Sequence, residues 1–192
     1  MNVILQHFDL FVLISLRTVA FIAASPLTSI RAWPTWAKIG LAFSLSYVAV
    51  PNVPGNVPDV MQNPGAFVLD GTLEAFVGLL LGFLATWIFS AISIAGQLID
   101  MQIGFSMASL LAPGSGVQAG LIGNLYNLLF TLYFVGMGGL DGMMLTILQS
   151  FATIPVDHAH LPGNWPGMLL QLMGLVMALG VEIALPVLAA LF

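Results

Sequence analysis

No cysteine occurs in the 192 residues, and basic side chains are nearly as scarce, with Arg17, Arg31 and Lys38 the only three. Without cysteine there is no disulfide, no thiolate metal site and no thiol nucleophile. With so few cations and a net charge of -5, the chain lacks the positive surface that a phosphate backbone requires, so nucleic acid is excluded as a partner. Charged residues of both signs make up 6% of the chain against 59% apolar residues, and the mean hydropathy is +1.05. That leaves too little polar surface to clothe a water-soluble domain of this length. The surroundings must be lipid or neighbouring subunits.

Strand-like alternation is also missing, so the expected fold class is all-α: helical hairpins of membrane type, with bent and uneven helices. Clusters of proline and glycine divide the apolar blocks, which run Phe8 to Ala24, Trp36 to Val50, Phe67 to Ile103, Leu121 to Met137, Leu140 to Ile154 and Met168 to Phe192. The prolines of Pro51 to Asp59 and the polar stretch Pro155 to Pro166 read as loops. The first block ends in Ala23, Ala24 and Ser25, as a signal peptide would. Yet no basic region precedes it, Arg17 interrupts it and Pro26 follows, so the segment is expected to be retained. At about 1.5 Å per residue, Trp36 to Val50 would span about 22 Å and Phe67 to Ile103 about 55 Å. Against a hydrocarbon core of roughly 30 Å, one is too short and the other too long. Such unequal helices suit a protein whose apolar faces are covered by other subunits.

Within the long block, Gly71, Ala75, Gly78, Gly82 and Ala85 recur at steps of three and four, which places them on one helix face. In apolar surroundings small residues let backbones approach closely, so this stripe is expected to be a subunit or hairpin contact. The bland alternative is that glycine is simply common in membrane helices. Arg17 and Glu182 stand deepest inside apolar blocks and are expected to be buried charges. They could pair directly, take separate partners, or, for Arg17, reach out to the interface. Glu182 is expected to be neutralised by a partner or by protonation. Asp70 and Glu74 fall where the first turns of the long helix are expected, a position that favours negative charge. Asp100 and Asp141 lie near block ends beside glycines, within reach of water.

No enzyme pattern survives inspection. Asp157, His158 and His160 form a D-H-x-H cluster, but helical two-His spacing and a third helix-borne ligand are missing, so a solvated loop is expected there. The glycines from Gly114 to Gly123 have no lysine after them, so they form no phosphate loop. No Gly-x-Ser-x-Gly elbow occurs. No catalytic residue, cofactor or metal is expected.

One run is distinctive: Gly96 to Ala108, with Met101-Gln102-Ile103-Gly104-Phe105-Ser106-Met107-Ala108 at its heart, followed by Pro113, Ser115, Gly116 and Gln118. It resembles the central region of the FliR family, the export-gate subunits of flagellar and related type III secretion systems. Arg17, Pro26, Arg31, Pro34 and Lys38 also fall where that family has an arginine in its first helix and a basic, proline-containing turn. The resemblance covers essentially the whole chain. It implies stacked helical hairpins in a multi-subunit spiral with FliP-like and FliQ-like gate subunits, beside an FlhB-like switch protein. It further implies a place in the bacterial inner membrane at the flagellar basal body, in contact with membrane lipid, passing exported polypeptides through a central pore. The sequence departs from the family at Ala112, where members often carry an acid before the proline, and at Leu140 to Met143, where they have an Asn-Gly-His turn. Residues 1–192 are expected to form one domain that lacks the family's further C-terminal apolar hairpin.

The run from Gly104 to Gln118 joins two apolar blocks, contains no charge, and mixes flexible Gly104, Gly114 and Gly116 with Phe105, Met107, Leu110 and Leu111. Together with Ser106 and Pro113 these residues are the expected plug of the pore, since apolar side chains seal a narrow channel by excluding water. In FliR-like proteins the corresponding loop projects into the pore. The competing expectation is ordinary packing at a helix end. A rival function is a small-solute transporter or ion channel subunit, with Asp100, Asp141 and Glu182 along the path.

Overall fold

In a computed structural model, the described residues are 2–26, 34–53, 63–104, 120–156 and 164–191. They form six α-helices in the order α1 (Asn2–Ala24), α2 (Thr35–Ala49), α3 (Pro64–Ile103), α4 (Leu121–Gly136), α5 (Gly139–Thr153) and α6 (Trp165–Leu191), with a 3-10 turn at Val50–Asn52. The fold is all-α, and no strand occurs among the described residues. Among the described residues, two helices are long and apolar enough to cross a membrane, Pro64–Ile103 and the stretch Trp165–Ala190.

The helix starts follow proline chemistry. Proline fixes φ near the helical value and lacks an N–H that the first turn would leave unpaired, so it is welcome at the start of a helix. Pro64 therefore opens α3 three residues ahead of the expected start at Phe67, and Trp165 and Pro166 open α6 inside the stretch expected to be loop. At its other end α1 stops at Ser25-Pro26: the Ser25 backbone N–H donates to Phe21 O at 2.9 Å, its hydroxyl donates to Ile22 O at 2.9 Å, and Pro26 has no N–H to continue the ladder.

The chain packs as two compact units that share α3, one of residues 1–86 with 141–163, the other of residues 87–140 with 164–192. In the first unit α1 and α3 run parallel. Leu16 faces Gly71, Arg17 faces Glu74 and Gly78, Phe21 faces Gly82, and Thr86 donates its hydroxyl to Ala24 O at 2.7 Å. A Cβ on Gly78 would overlap the Arg17 carbonyl oxygen, and one on Gly82 would come within 2.5 Å of Phe21 O and 2.8 Å of Ala24 Cβ. Only glycine lets the two backbones meet here. Leu13, Ile14, Phe21, Val77, Ile147 and Phe151 fill the interior of this unit, and Thr18 and Ser46 share a 2.6 Å hydrogen bond between α1 and α2.

In the second unit the C-terminal half of α3 and α4 form an antiparallel hairpin. Its contacts step down α3 as they step up α4: Asp100 with Ile122 and Gly123, Gly96 with Gly123, Ser93 with Asn127, and Phe89 edge-on to Phe130 and Phe134. The α6 helix lies parallel to α3 through Gly180 beside Ala91 and Ile94, and Ala184 in a cluster with Ala95 and Ile99. Small residues again carry the closest approach.

Candidate functional site

Three polar features stand in this apolar frame. The first is Arg17, fully buried. Its Nε donates to Glu74 Oε2 at 2.5 Å and its Nη2 to Glu74 Oε1 at 2.8 Å, a two-pronged pair that matches the planar guanidinium to the carboxylate. Nη1 donates to the Ser150 hydroxyl at 3.3 Å and Nη2 to Ile154 O at 2.9 Å. The guanidinium also lies 4.4 Å over the Phe151 ring. Ile154 closes the end of α5, where unpaired carbonyls concentrate negative partial charge, so the cation is matched by the helix as well as by Glu74. Arg17 thus ties α1, α3 and the end of α5 together.

Of the alternatives open for Arg17, a direct pair with Glu182, a separate partner or a reach to the interface, the structure has the separate partner, Glu74. Because α3 starts at Pro64, Glu74 lies about three turns inside the helix and cannot serve as a first-turn charge. The signal was present in the sequence: Glu74 falls on the same face as Gly71 and Gly78, so a helix laid on the glycine stripe must meet a carboxylate. Of the stripe residues, Gly71, Gly78 and Gly82 are buried against α1, while Ala75 and Ala85 are half-buried.

The second feature is the root of the segment between α3 and α4. Gly104 ends α3 with φ +83° and Gly120 opens α4 with φ +121°, left-handed values that glycine adopts without strain. Gly120 has no side chain to cap α4. Asp100 supplies the cap from the neighbouring helix: Ile122 N–H donates to Oδ1 at 3.0 Å and Gly123 N–H to Oδ2 at 2.9 Å. Glycine at 96 and 123 is what brings the carboxylate close enough, since a Cβ on Gly96 would land on the Gly123 Cα. Asp100 was expected within reach of water and is instead 3% exposed. Each of its oxygens accepts from one backbone donor at the start of α4. Asp141 lies exposed in the first turn of α5. Of the expected plug, only Gly104 is among the described residues; Phe105, Ser106, Met107, Leu110, Leu111, Pro113, Gly114 and Gly116 lie outside them, as do Asp157, His158 and His160.

The third feature is Glu182, expected to be a buried charge and found exposed on α6. The helix packs on α3 through Gly180 and Ala184, with Ile183, Val187 and Leu188 against the same cluster, while Glu182 itself is exposed. Among the described residues no group of three or more His, Cys, Asp or Glu side chains is arranged to hold a metal ion.

Comparison with known proteins shows the family. The family "Bacterial export proteins, family 1" matches residues 8–192. The chain is 33% identical over 159 residues to the flagellar biosynthetic protein FliR of Bacillus subtilis, covering 83% of this chain and 61% of that protein. It is 27% identical over 176 residues to the FliR of Escherichia coli, covering 92% of this chain and 67% of that protein. It is 31% identical over 156 residues to the Yop proteins translocation protein T of Yersinia pestis, covering 80% of this chain and 59% of that protein. The chain therefore spans roughly three fifths to two thirds of the length of these relatives, and a match over nearly all of its own residues places it in the bacterial export proteins of family 1, the FliR family.

Proposed function

We propose that the chain is a pore-forming, gating subunit of the flagellar or related type III protein export gate in the bacterial inner membrane. In this reading unfolded polypeptides pass through a pore built with FliP-like and FliQ-like subunits beside an FlhB-like switch protein, and residues 104–118 close that pore at rest. The observation that carries the reading is the root of this segment. Asp100 binds the start of α4 to the end of α3, so the segment is tethered at both ends to one antiparallel hairpin. A plug needs that combination: an anchor that does not move, and between its ends an uncharged, apolar, glycine-containing stretch that can. Membership in the export family supports the same role, and the relatives' names, flagellar biosynthetic protein FliR and Yop proteins translocation protein T, speak of flagellar biosynthesis and of protein translocation.

Co-purification tests the assembly part of the proposal. Tagged chain extracted in mild detergent is expected to bring down FliP-like and FliQ-like proteins in fixed ratio. Recovery of the chain alone, or with a solute-transport partner, contradicts it.

A further inference from the structure

Between the last turns of α1 and the first turns of α2 lies a groove of about 320 Å³, the size of a site that takes a small molecule. Val19, Ile22 and Ala23 line it from α1, and Thr35, Lys38, Ile39 and Ala42 from α2. The α2 residues follow at steps of three, one and three, so they share one helix face, with the polar Thr35 and Lys38 ahead of the apolar Ile39 and Ala42. The groove is therefore apolar along its walls and cationic at one end. No acidic side chain among the described residues lines it. Lys38 is half-buried and makes an interaction within the chain, but an ammonium carries three donors, so one contact does not exhaust it. The start of α2 has no side-chain cap, and its positive end adds to the same potential. Trp36, beside Thr35 in the sequence, is 77% exposed. Tryptophan in membrane proteins concentrates at the headgroup level, which puts the polar end of the groove where phosphates lie.

We propose that this groove binds one anionic phospholipid, with its phosphate on Lys38 and Thr35 and the upper part of an acyl chain against Val19, Ile22, Ala23 and Ile39. The charge selects the headgroup. Apolar walls alone would take any tail, whereas a cation with no acid opposite favours a headgroup of net negative charge over a zwitterionic one. The walls select a lipid over other anions, since a free phosphate leaves them empty and an extended peptide brings backbone polar groups that they cannot satisfy. The inference concerns a surface remote in sequence from residues 104–118 and stands whether or not that segment is a plug.

Phosphatidylglycerol and phosphatidylcholine, each carrying a diazirine on its acyl chain, test the occupant in vesicles that hold the full-length protein. Peptide mapping is expected to place the phosphatidylglycerol label on Ile22, Ala23 or Ile39, at a yield about fivefold above that of phosphatidylcholine, the preference that one base near the headgroup confers. Lys38→Gln is expected to remove the preference and Lys38→Arg to keep it. Ala23→Trp, at an exposed position, fills the groove and is expected to end labelling there by both lipids. Monodispersity of each variant in detergent separates lost binding from lost folding, and the comparison of the two lipids on the wild-type chain needs no variant. Equal labelling by both lipids overturns the proposal. So does a label confined to other residues, as expected if residues 27–33 or another protein fills the groove, and so does a phosphatidylglycerol preference that survives Lys38→Gln.

Discussion

Arg17 and Glu74 meet as a fully buried two-pronged ion pair, and the helix that carries Glu74 reaches Arg17 only because Gly78, one turn on, presents no side chain to the Arg17 carbonyl. The glycine contact and the ion pair form one device: close backbones bring the charges together, and the paired charges make burial of Arg17 tolerable.

Breaking the pair from one side is therefore expected to cost more than removing both members. Arg17→Met or Glu74→Leu alone strands a charge inside the first unit, a loss of about 3–5 kcal/mol. The Arg17→Met, Glu74→Leu double variant is expected to recover much of that, because no unpaired charge remains. Thermal unfolding of the detergent-solubilised protein, run as a double-mutant cycle, measures the coupling; equal losses in all three variants would refute it.

Glycine substitutions are expected to divide sharply by position. Gly78→Ala must push α3 away from the Arg17 carbonyl and should destabilise by about 1–3 kcal/mol, with Gly78→Leu worse. Gly40→Ala, where nothing lies within 4 Å of the added methyl, should be neutral or stabilise α2 by about 0.5–1 kcal/mol. Protease resistance of the membrane-inserted variants distinguishes them, and equal resistance of Gly78→Leu and Gly40→Ala would refute the close crossing. Gly78→Leu should still reach the membrane fraction but assemble poorly.

Sequence pattern alone was enough to find the helices of this protein but not two of its polar contacts. The apolar blocks give five of the six described helices to within about three residues, because proline and glycine punctuate an otherwise continuous apolar chain. Residues at the ends of blocks were harder. A three-residue error at Pro64 made Glu74 look like a helix-start charge, although its place on the glycine face already implied a basic partner. Asp100 gave no local sign of its task, since it caps a helix 22 residues away and the contact exists only once the hairpin has closed. Glu182 was expected to be buried because its neighbours are apolar. Periodicity cannot tell a helix buried in its own chain from one whose broad apolar side is left for lipid or another subunit.

Loosening the Asp100 cap is expected to free the start of α4 without unfolding the hairpin. In Asp100→Asn one carboxylate oxygen becomes an NH2 group facing a backbone N–H, so one of the two bonds is lost. Hydrogen exchange at the Ile122 or Gly123 amide should rise about tenfold, equivalent to about 1.4 kcal/mol, while the amides of the α4 midpoint stay protected. Unchanged exchange at both amides would show that the cap contributes nothing.

The central claim, that residues 104–118 seal an export pore, is tested most directly by conductance. The gate is assembled in a bilayer from this chain and its co-purified partners, with and without a deletion within Ser106 to Ala112, a stretch that leaves Asp100 and the root of α4 intact. The account predicts that the deleted gate assembles in normal yield and passes ions or small solutes at rest, while the intact gate does not. A deleted gate that assembles normally and stays sealed contradicts it.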